Sequence, residues 1–311
     1  DLGNGLKLGL PIISSPMDTV TEDLMARATS EEGGCSVIHR YNTADEQAEL
    51  VHIAKTNGAE NVGFAVGVGN DLVNRARKCV DVGADFICVD VAHGHHIMMK
   101  EALEKLRAIF GDSLHIMAGN VATLAGINSL ADWGANSVRC NIGGGSICST
   151  RVQTGHGHPG LQTIIDCSHT DRDVKIIADG GIRNSGDIVK ALAAGADAVM
   201  LGSLLSGTKE TPGEVYTRQD GTKYKTYRGM ASKEAQIDWR GKYSSFEGVS
   251  STVPYRGKVR NVLADLDRGI RSGLSYSGCR SVLELQARHK FVRQTSAGLG
   301  ESRTHITTRK W

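Results

Sequence analysis

Short apolar runs recur along the chain, and a stretch with helical periodicity separates each run from the next. Runs that are apolar on both faces are typical of strands in a parallel sheet that helices cover on both sides. Eight such strand–helix units in roughly 250 residues predict an α/β fold, the TIM (β/α)8 barrel. An open, doubly wound sheet is the alternative, which the near-equal units disfavour. The predicted strands are 10–15, 36–39, 62–66, 86–90, 114–118, 137–140, 174–178 and 198–201.

The joints between helices and strands carry a repeated signal. Gly83, Gly134 and Gly195 each precede Ala and then Asp or Asn, directly before a predicted strand. Glycine is favoured just after a helix C-terminus, so each joint ends a helix and leads into a strand through a short loop. Earlier in the chain, helices are predicted over 21–34, with Thr21 as the N-cap hydroxyl, over 43–55 and over 71–82.

Polar residues and glycines follow nearly every predicted strand. Chemistry in a barrel gathers at the C-terminal ends of the strands, so these segments form the candidate site. They are 15–18, 39–40, 90–94, 119–120, 141–151, 179–181 and 202–203.

The segment 141–151 contains three consecutive glycines followed by Cys148. Glycines let a backbone turn present several N–H donors to an anion. A thiol beside such a turn is suited to covalent chemistry on a phosphorylated small molecule. Three glycines alone would fit a flexible loop with an incidental cysteine equally well, and the strand context is what favours the site.

A long connection, 205–257, follows the eighth predicted strand, and a β-ribbon is predicted within it around the turn 219–221. Connections of this length inside a compact domain are usually functional lids or disordered segments. We interpret 1–311 as a single barrel domain in which 205–257 is a lid and 296–311 is a C-terminal tail.

Composition narrows the classes of protein. The formal net charge of +2 in 311 residues gives no electrostatic reason to expect a nucleic-acid partner. The seven cysteines lie mostly within apolar runs and show no CxxC spacing, which favours a reduced cytoplasmic protein over a disulfide or zinc scaffold. No apolar run is long enough to span a bilayer, so no membrane partner is expected.

Six short motifs occur in the same order as in one known family. On them the chain resembles the inosine-monophosphate dehydrogenase / GMP reductase family over nearly its full length. Each motif alone is weak, and their collinearity at predicted strand ends makes the resemblance specific. The motifs are SSPMDTVTE (14–22), DVAHGH (90–95), AGNV (118–121), GGGSICST (143–150), ADGGI (178–182) and YRGM (227–230).

The resemblance implies that Cys148 is the nucleophile, adding to C2 of a purine nucleotide and forming a covalent thioimidate during hydride transfer. Backbone oxygens of Gly143, Gly145 and Cys148 would hold potassium, and Glu301 of a neighbouring subunit in a homotetramer would complete that site. The implied substrate-binding residues are Ser15, Met17, Ser146, Asp179, Gly180, Gly181, Gly202, Ser203, Tyr227, Gly229 and Met230. The implied residues around the nicotinamide cofactor are Asp90, His93 and Asn120.

Some of these residues have simpler explanations. Asp179 fits the cap of a turn, and Glu247 fits an ordinary solvated acid. His93, His95 and His96 suggest a metal site by density, but no carboxylate cluster accompanies them, so we expect them to line the cofactor cleft.

The chain also departs from the family pattern. Gly144 stands where the family usually has proline, which should loosen the loop. His156 and His158 follow the loop where the pattern is more apolar.

The lid separates the two branches of the family. Dehydrogenases carry an Arg-Tyr pair on a long flap to activate water, whereas reductases use a Thr/Glu pair, here Thr150 and Glu247, to handle ammonia. Only sixteen residues, 231–246, separate the YRGM motif from Glu247, which is too short for the full dehydrogenase flap. The nearest match to an Arg-Tyr pair is 242–243, where the lysine lacks the planar guanidinium group of arginine. The tandem regulatory insert of most dehydrogenases is missing before Val62.

The motif 90–95 and the segment 296–302, in contrast, look dehydrogenase-like. We favour GMP reductase, which uses NADPH, with NAD-dependent inosine-monophosphate dehydrogenase as the alternative. A catalytically silent, nucleotide-binding regulatory barrel is a third hypothesis, and the intact Cys148, Thr150 and Glu247 argue against it.

Overall fold

The structure, a computed structural model, describes residues 1–302. Eight parallel strands close into a barrel, with the first strand paired to both the second and the eighth. This closure confirms the predicted TIM barrel and excludes the open sheet. The strands are β1 (Ile12–Ser14), β2 (Cys35–Ile38), β3 (Val62–Val66), β4 (Phe86–Asp90), β5 (His115–Val121), β6 (Ser137–Cys140), β7 (Lys175–Asp179) and β8 (Ala198–Leu201).

Helices alternate with the strands and surround the barrel. Two of them, α6 and α7, share the connection between β6 and β7. The helices of the barrel are α1 (Asp23–Glu31), α2 (Ala44–Thr56), α3 (Leu72–Asp81), α4 (Ile97–Phe110), α5 (Leu124–Asp132), α6 (Thr150–Thr154), α7 (Gly160–Cys167), α8 (Ser185–Ala193), α10 (Val259–Tyr276) and α11 (Val282–Arg288).

The connection after β8 contains a small antiparallel sheet and one helix. The strands are β9 (Tyr216–Thr217), β10 (Lys223–Arg228) and β11 (Ser250–Pro254), with β10 in the middle, and the helix is α9 (Lys233–Arg240). The pairing of Lys223 with Thr217 confirms the predicted ribbon around the turn 219–221. Of the predicted tail, 298–302 form a 3-10 turn, and 303–311 lie outside the described residues.

Four strand predictions, β3, β4, β6 and β8, match the structure to the residue, whereas β5 continues three residues further than predicted, to Val121. The predicted N-cap of α1 is wrong. Glu22 occupies the N-cap position, and the Thr21 hydroxyl instead donates to the Ser15 carbonyl oxygen at 2.6 Å. Thr43, in contrast, caps α2 through a reciprocal capping box with Glu46.

Two hydrophobic clusters fill the fold. The larger lies between the strands and the helices, and the smaller is drawn from every barrel strand except β6, which places it in the barrel interior. Leu2 and Leu6 belong to the interior cluster and close it at the N-terminal end. On β6 the inward positions carry the polar residues Ser137 and Arg139 instead.

His115 is buried against Ser137 at the lower end of the barrel. Its Nε2 lies 2.8 Å from the Ser137 Oγ and its Nδ1 lies 3.1 Å from the Gly3 carbonyl oxygen. Burial lowers the pKa of this imidazole to about 4. The neutral ring is therefore the form that the native state holds.

We expect this histidine to make the fold acid-sensitive. Because its pKa is lower in the folded than in the unfolded chain, its contribution is complete above pH ~6.5 and is lost as pH falls towards ~4, by up to about 3 kcal/mol. Urea unfolding at several pH values should show a shallower fall of the free energy of unfolding for His115→Gln than for the parent between pH ~6.5 and ~5. Equal slopes would refute the assignment.

Within residues 1–302, no helix combines the length and the apolar character needed to cross a bilayer.

Candidate active site

A cleft of ≈ 370 Å³ opens at the C-terminal ends of the barrel strands, the volume of a small-molecule site. It brings together the residues that the sequence assigned to catalysis, substrate and potassium, as well as Asp90 and Asn120. The sequence-predicted residues on its wall are Ser15, Met17, Asp90, Asn120, Gly143, Gly145, Ser146, Cys148, Thr150, Asp179, Gly180, Gly181, Gly202, Ser203, Tyr227, Gly229, Met230 and Glu247.

Cys148 differs from the other cysteines in its accessibility. It is exposed in the cleft, whereas the remaining six are buried. Burial raises the pKa of the Cys79 and Cys88 thiols to about 12, which keeps them protonated and unreactive. The Cys148 N–H donates to the Gly145 carbonyl oxygen at 3.1 Å, a tight turn that projects the thiol into the cleft.

A hydrogen-bonded path leads away from this thiol. The Cys148 Sγ donates to the Thr150 Oγ1 at 3.1 Å, and that hydroxyl donates to the Glu247 Oε2 at 2.7 Å. Thiol, hydroxyl and carboxylate thus form a continuous chain of donors and acceptors over which a proton can move. Glu247 is therefore not the solvated acid of the simpler explanation.

Backbone pairing explains how Glu247, 97 residues later in the sequence than Thr150, comes to lie there. The Ser149 N–H donates to the Glu247 carbonyl oxygen at 2.8 Å, and the Val249 N–H donates to the Ile147 carbonyl oxygen at 3.0 Å. The segment 247–249 of the lid therefore lies antiparallel to the cysteine loop and is attached to it on both sides of Cys148.

Hydroxyl groups converge around Gly202 at the end of β8. A Cβ at this position would lie 3.1 Å from the Ser15 Oγ, the Met17 Sδ and the Tyr227 hydroxyl. Within residues 1–302, the buried Ser15 Oγ has no hydrogen-bond partner. Burial raises the pKa of Tyr227, against a hydrogen bond with Ser146. Two neutral hydroxyl donors, those of Ser15 and Tyr227, therefore border the space that glycine leaves open, which suits an anionic group.

A buried ion-pair network forms the floor of the cleft. Arg139 bonds Asp90 on one side and the Asp179 Oδ2 on the other, at 2.8 and 3.1 Å from Nη2 and Nε. Burial alone would raise the pKa of the Asp90 carboxyl, but the guanidinium groups of Arg139 and Arg40 outweigh it and hold that pKa below its usual value. The Asp90 carboxylate therefore remains charged next to Arg139.

Asp179 and Asn120 keep acceptor atoms for a ligand. The Asn120 Nδ2 donates to the Asp179 Oδ2 at 2.7 Å and to the Asn141 carbonyl oxygen at 3.0 Å. Among the described side chains, none donates to the Asp179 Oδ1 or the Asn120 Oδ1. Asp179 is thus part of the ion-pair network and not merely the cap of a turn.

Sequence reasoning gave no role to three polar residues that line the cleft, Arg40, Arg139 and Asn141, and of these only Arg139 lay outside the segments assigned to the site. A charge inside an apolar strand was the available signal for Arg139, since unpaired charges are almost never buried. Arg40 follows β2, and it was included among the strand-end segments without being assigned a function. Its guanidinium lies 3.7 Å from the Asp90 carboxylate.

The histidines lie apart from the cleft wall. His93 is exposed, and partial burial followed by the neighbouring histidines lowers its pKa. It was expected to line the cofactor cleft, but it is not among the residues of the cleft wall. His95 contacts Ser129 and Trp133. Within the described part of the chain, no group of three or more His, Cys, Asp or Glu side chains could hold a metal ion. The assignment of His93 to the cofactor remains a prediction.

The lysine–tyrosine pair of the lid also lies outside the cleft wall. Lys242 and Tyr243 are exposed, and the Tyr243 ring packs against Phe246 and the Lys233 ammonium group. Of the lid, Ala231, Glu247 and Gly248 reach the cleft in addition to the residues of β10 and the turn after it.

Comparisons with known proteins agree with this geometry. Inosine-5'-monophosphate dehydrogenase of Aquifex aeolicus is 47% identical over 259 residues, which cover 80% of this chain and 52% of that protein. GMP reductase of Leishmania major is 42% identical over 257 residues, which cover 78% of this chain and 52% of that protein. The chain therefore spans about half the length of these two relatives.

A solved structure matches nearly the whole chain. It is a cysteine-to-alanine variant of GMP reductase from Trypanosoma brucei in complex with guanosine 5'-monophosphate, with a TM-score of 0.92, 30% identity, and coverage of 98% of this chain and 92% of that one. The family model described as IMP dehydrogenase / GMP reductase domain matches residues 1–305. With this match over almost its full length, the chain belongs to the IMP dehydrogenase / GMP reductase family.

Proposed function

We propose that this chain is a GMP reductase, which converts GMP to IMP and ammonia with NADPH through a covalent bond between Cys148 and purine C2. The observation that carries the proposal is the path from the Cys148 thiol through the Thr150 hydroxyl to the Glu247 carboxylate. Deamination requires a proton to leave the nucleophile and a proton to reach the departing amine. One relay that ends in a carboxylate serves both needs.

The proposed reaction has two halves. In the first, the Cys148 sulfur bonds to C2, the C2–N bond breaks, and the amine leaves as ammonia with a proton that Thr150 and Glu247 supply. In the second, a hydride adds to C2, the C2–S bond breaks with its electron pair returning to sulfur, and IMP is released. When bound, the reduced nicotinamide supplies that hydride.

The nucleotide is proposed to lie with its phosphate near Gly202 and its purine at Cys148. The hydroxyls around Gly202 are neutral donors, and phosphate sites in barrels form at the loops after strands seven and eight. The free Oδ1 of Asp179 would accept from ribose hydroxyls, because its Oδ2 already receives Arg139 and Asn120. Gly229 and Met230 would contact the purine from the lid side.

The opposite side of the cleft fits a nicotinamide. The Asn120 Oδ1 is an acceptor suited to the carboxamide N–H, and we propose that Asp90, which lines the same cleft, contacts the adjacent ribose. Asp90 is already paired with two guanidinium groups, so a ribose hydroxyl would join an existing network and would not have to neutralise a free charge. Arg40 and Arg139 hold that carboxylate in place.

Inosine-monophosphate dehydrogenase is the second candidate function, which the 47% identity to the Aquifex aeolicus enzyme favours. That reaction needs a residue that activates water at C2. The exposed Lys242 and Tyr243 lie away from the cleft wall, whereas Glu247 lies within it. The positions of these side chains therefore support the reductase.

Absorbance at the nicotinamide band tests the proposal directly. With GMP and NADPH we expect oxidation of the cofactor and release of ammonia, at a rate well above the reduction of NAD with IMP. Faster reduction of NAD would instead establish the dehydrogenase. No turnover with either pair, together with tight nucleotide binding, would favour the silent regulatory barrel.

We also propose a homotetramer with a potassium ion at the cysteine loop. Backbone carbonyls of Gly143, Gly145 and Cys148 are neutral oxygen donors of the type that potassium takes, and the exposed Glu301 would approach from a neighbouring subunit. When bound, the ion would hold the loop in one conformation. We expect a tetrameric mass by light scattering and a loss of activity when sodium replaces potassium. A monomer, or activity indifferent to the cation, would contradict the respective assignment.

A further inference from the structure

Asn141, the first residue after β6, has an unusual backbone. Its φ is 140°, a region that residues other than glycine rarely adopt. The residue is 4% exposed, and its Nδ2 donates to the Asp179 carbonyl oxygen at 2.9 Å and to the Gly180 carbonyl oxygen at 3.4 Å. A side chain at the base of the cysteine loop thus bonds the backbone of the turn after β7.

The same Asn141 amide lies directly against Gly144. A Cβ at Gly144 would lie 2.0 Å from the Asn141 Nδ2 and 2.8 Å from its Cγ, distances that a real side chain cannot occupy. The backbone of Gly144 is not in the left-handed region, so its conformation alone would accept alanine. The Asn141 amide is therefore what excludes a side chain at this position.

The two loops also touch backbone to backbone. A Cβ at Gly180 would lie 3.2 Å from the Gly145 nitrogen, and one at Gly181 would lie 3.3 Å from the Gly144 carbonyl oxygen. The cysteine loop and the β7 turn thus meet at a separation that is tighter than most side chains show. Gly144 was expected to loosen the cysteine loop, but the Asn141 amide fills the space that a side chain at 144 would have filled.

We propose that Asn141 is a positioning residue, interlocked with Gly144, that sets the placement of Cys148 relative to a nucleotide held at Asp179. The inference rests on the proposed function, since it takes Cys148 as the nucleophile. It assigns two separate duties to Asn141. Its amide group occupies the space that a side chain at 144 would need. Its N–H groups donate to the carbonyl oxygens of Asp179 and Gly180.

A mutant cycle separates the interlock from simple loss of stability. We expect Gly144→Ala to lower kcat by roughly 10- to 100-fold, as a misplacement of the nucleophile by a fraction of an ångström would, with a much smaller change in the KM for GMP. Asn141→Gly tolerates the backbone angle and should lower kcat by a few-fold only. In the Asn141→Gly background, Gly144→Ala should add less than about a twofold cost, because the amide that the new methyl group would strike is gone.

Asn141→Asp is the matched control for volume. Aspartate keeps the size of asparagine but has no N–H group, so Gly144→Ala should remain as harmful in that background as in the parent. Gly145→Ala is the control for position, because its Cβ would meet Cys148 at 3.3 Å and not Asn141. Its cost should be the same with asparagine or glycine at 141.

The rate at which iodoacetamide alkylates Cys148 gives a second readout that needs no turnover. The other cysteines are buried, so the reaction reports on the cysteine loop. The proposal predicts that Gly144→Ala changes this alkylation rate much more with asparagine at 141 than with glycine at 141. This test does not depend on the proposed function, because it can be carried out even if the parent enzyme turns over neither GMP nor IMP. An equal cost of Gly144→Ala with asparagine or glycine at 141, in both readouts, overturns the proposal. If Gly144→Ala fails to fold while the double variant folds, the interlock is supported.

Discussion

Replacing Cys148 by alanine should abolish turnover while nucleotide binding survives. The thiol is the exposed one among seven cysteines and stands at the start of the path to Glu247. Removal of a covalent nucleophile leaves only binding and electrostatic contributions, so we expect kcat to fall by at least about a thousandfold. Steady-state kinetics with GMP and NADPH, and calorimetric titration with GMP, measure the two quantities.

Cys279→Ala is a suitable control for this experiment. Cys279 is a buried cysteine after α10, remote in sequence from the strand ends, and its loss removes a thiol without removing the nucleophile. It should leave kcat near the parental value. Turnover by the Cys148 variant at more than a few per cent of the parental rate would remove covalent catalysis from consideration.

The second large effect is expected for Glu247→Gln. Glutamine keeps the size of glutamate and one acceptor oxygen for the Thr150 hydroxyl, but it can no longer take or give the proton. Deamination of GMP should fall by roughly a hundredfold or more, whereas the affinity for GMP should change little, the pattern of an interaction made in the transition state. Comparing kcat with the dissociation constant for GMP checks this split.

Lys242→Ala provides the contrast within the same lid. Its side chain is exposed and lies outside the cleft wall, so the reductase should retain activity within about twofold. The opposite pattern, with Lys242 essential and NAD-dependent oxidation of IMP the faster reaction, would replace the reductase by the dehydrogenase. The two variants together therefore decide the branch of the family.

The barrel could be predicted from the sequence because the signals for its strands and helix ends lie within short segments of the chain. Each strand is a short apolar run, and several of the helices end at a glycine with positive φ, such as Gly83 at 99° or Gly195 at 117°. Thr21 misled the prediction because a hydroxyl near a helix start has other partners within reach. It bonds the backbone at the end of β1 instead of capping α1.

The candidate site was predictable in part for the same reason. Residues at a strand end, such as Asp179, or in the loop after one, such as Cys148, are brought together by the barrel itself. The pairing of Thr150 with Glu247 depended on the resemblance, because a side-chain contact between residues 97 positions apart leaves no local pattern. The role of Asn141 could not be predicted, because neither its positive φ nor its fit to Gly144 follows from the sequence.

The part of the lid that contains α9 is attached to the barrel on both sides of that helix. At its start, Arg228 bonds the Asp18 carboxylate at 2.6 and 2.9 Å, and at its end the segment 247–249 is bonded to the cysteine loop. Between these attachments, α9 is itself held by the buried Ala235 and by the ion pair of Asp238 with Arg228, whereas residues 241–246 after it are exposed. Segment 241–246 can therefore change in sequence or length while both attachments stay in place. A descendant of this fold could therefore acquire a new reaction by inserting a water-activating segment there, while the chemistry already in place continued to operate.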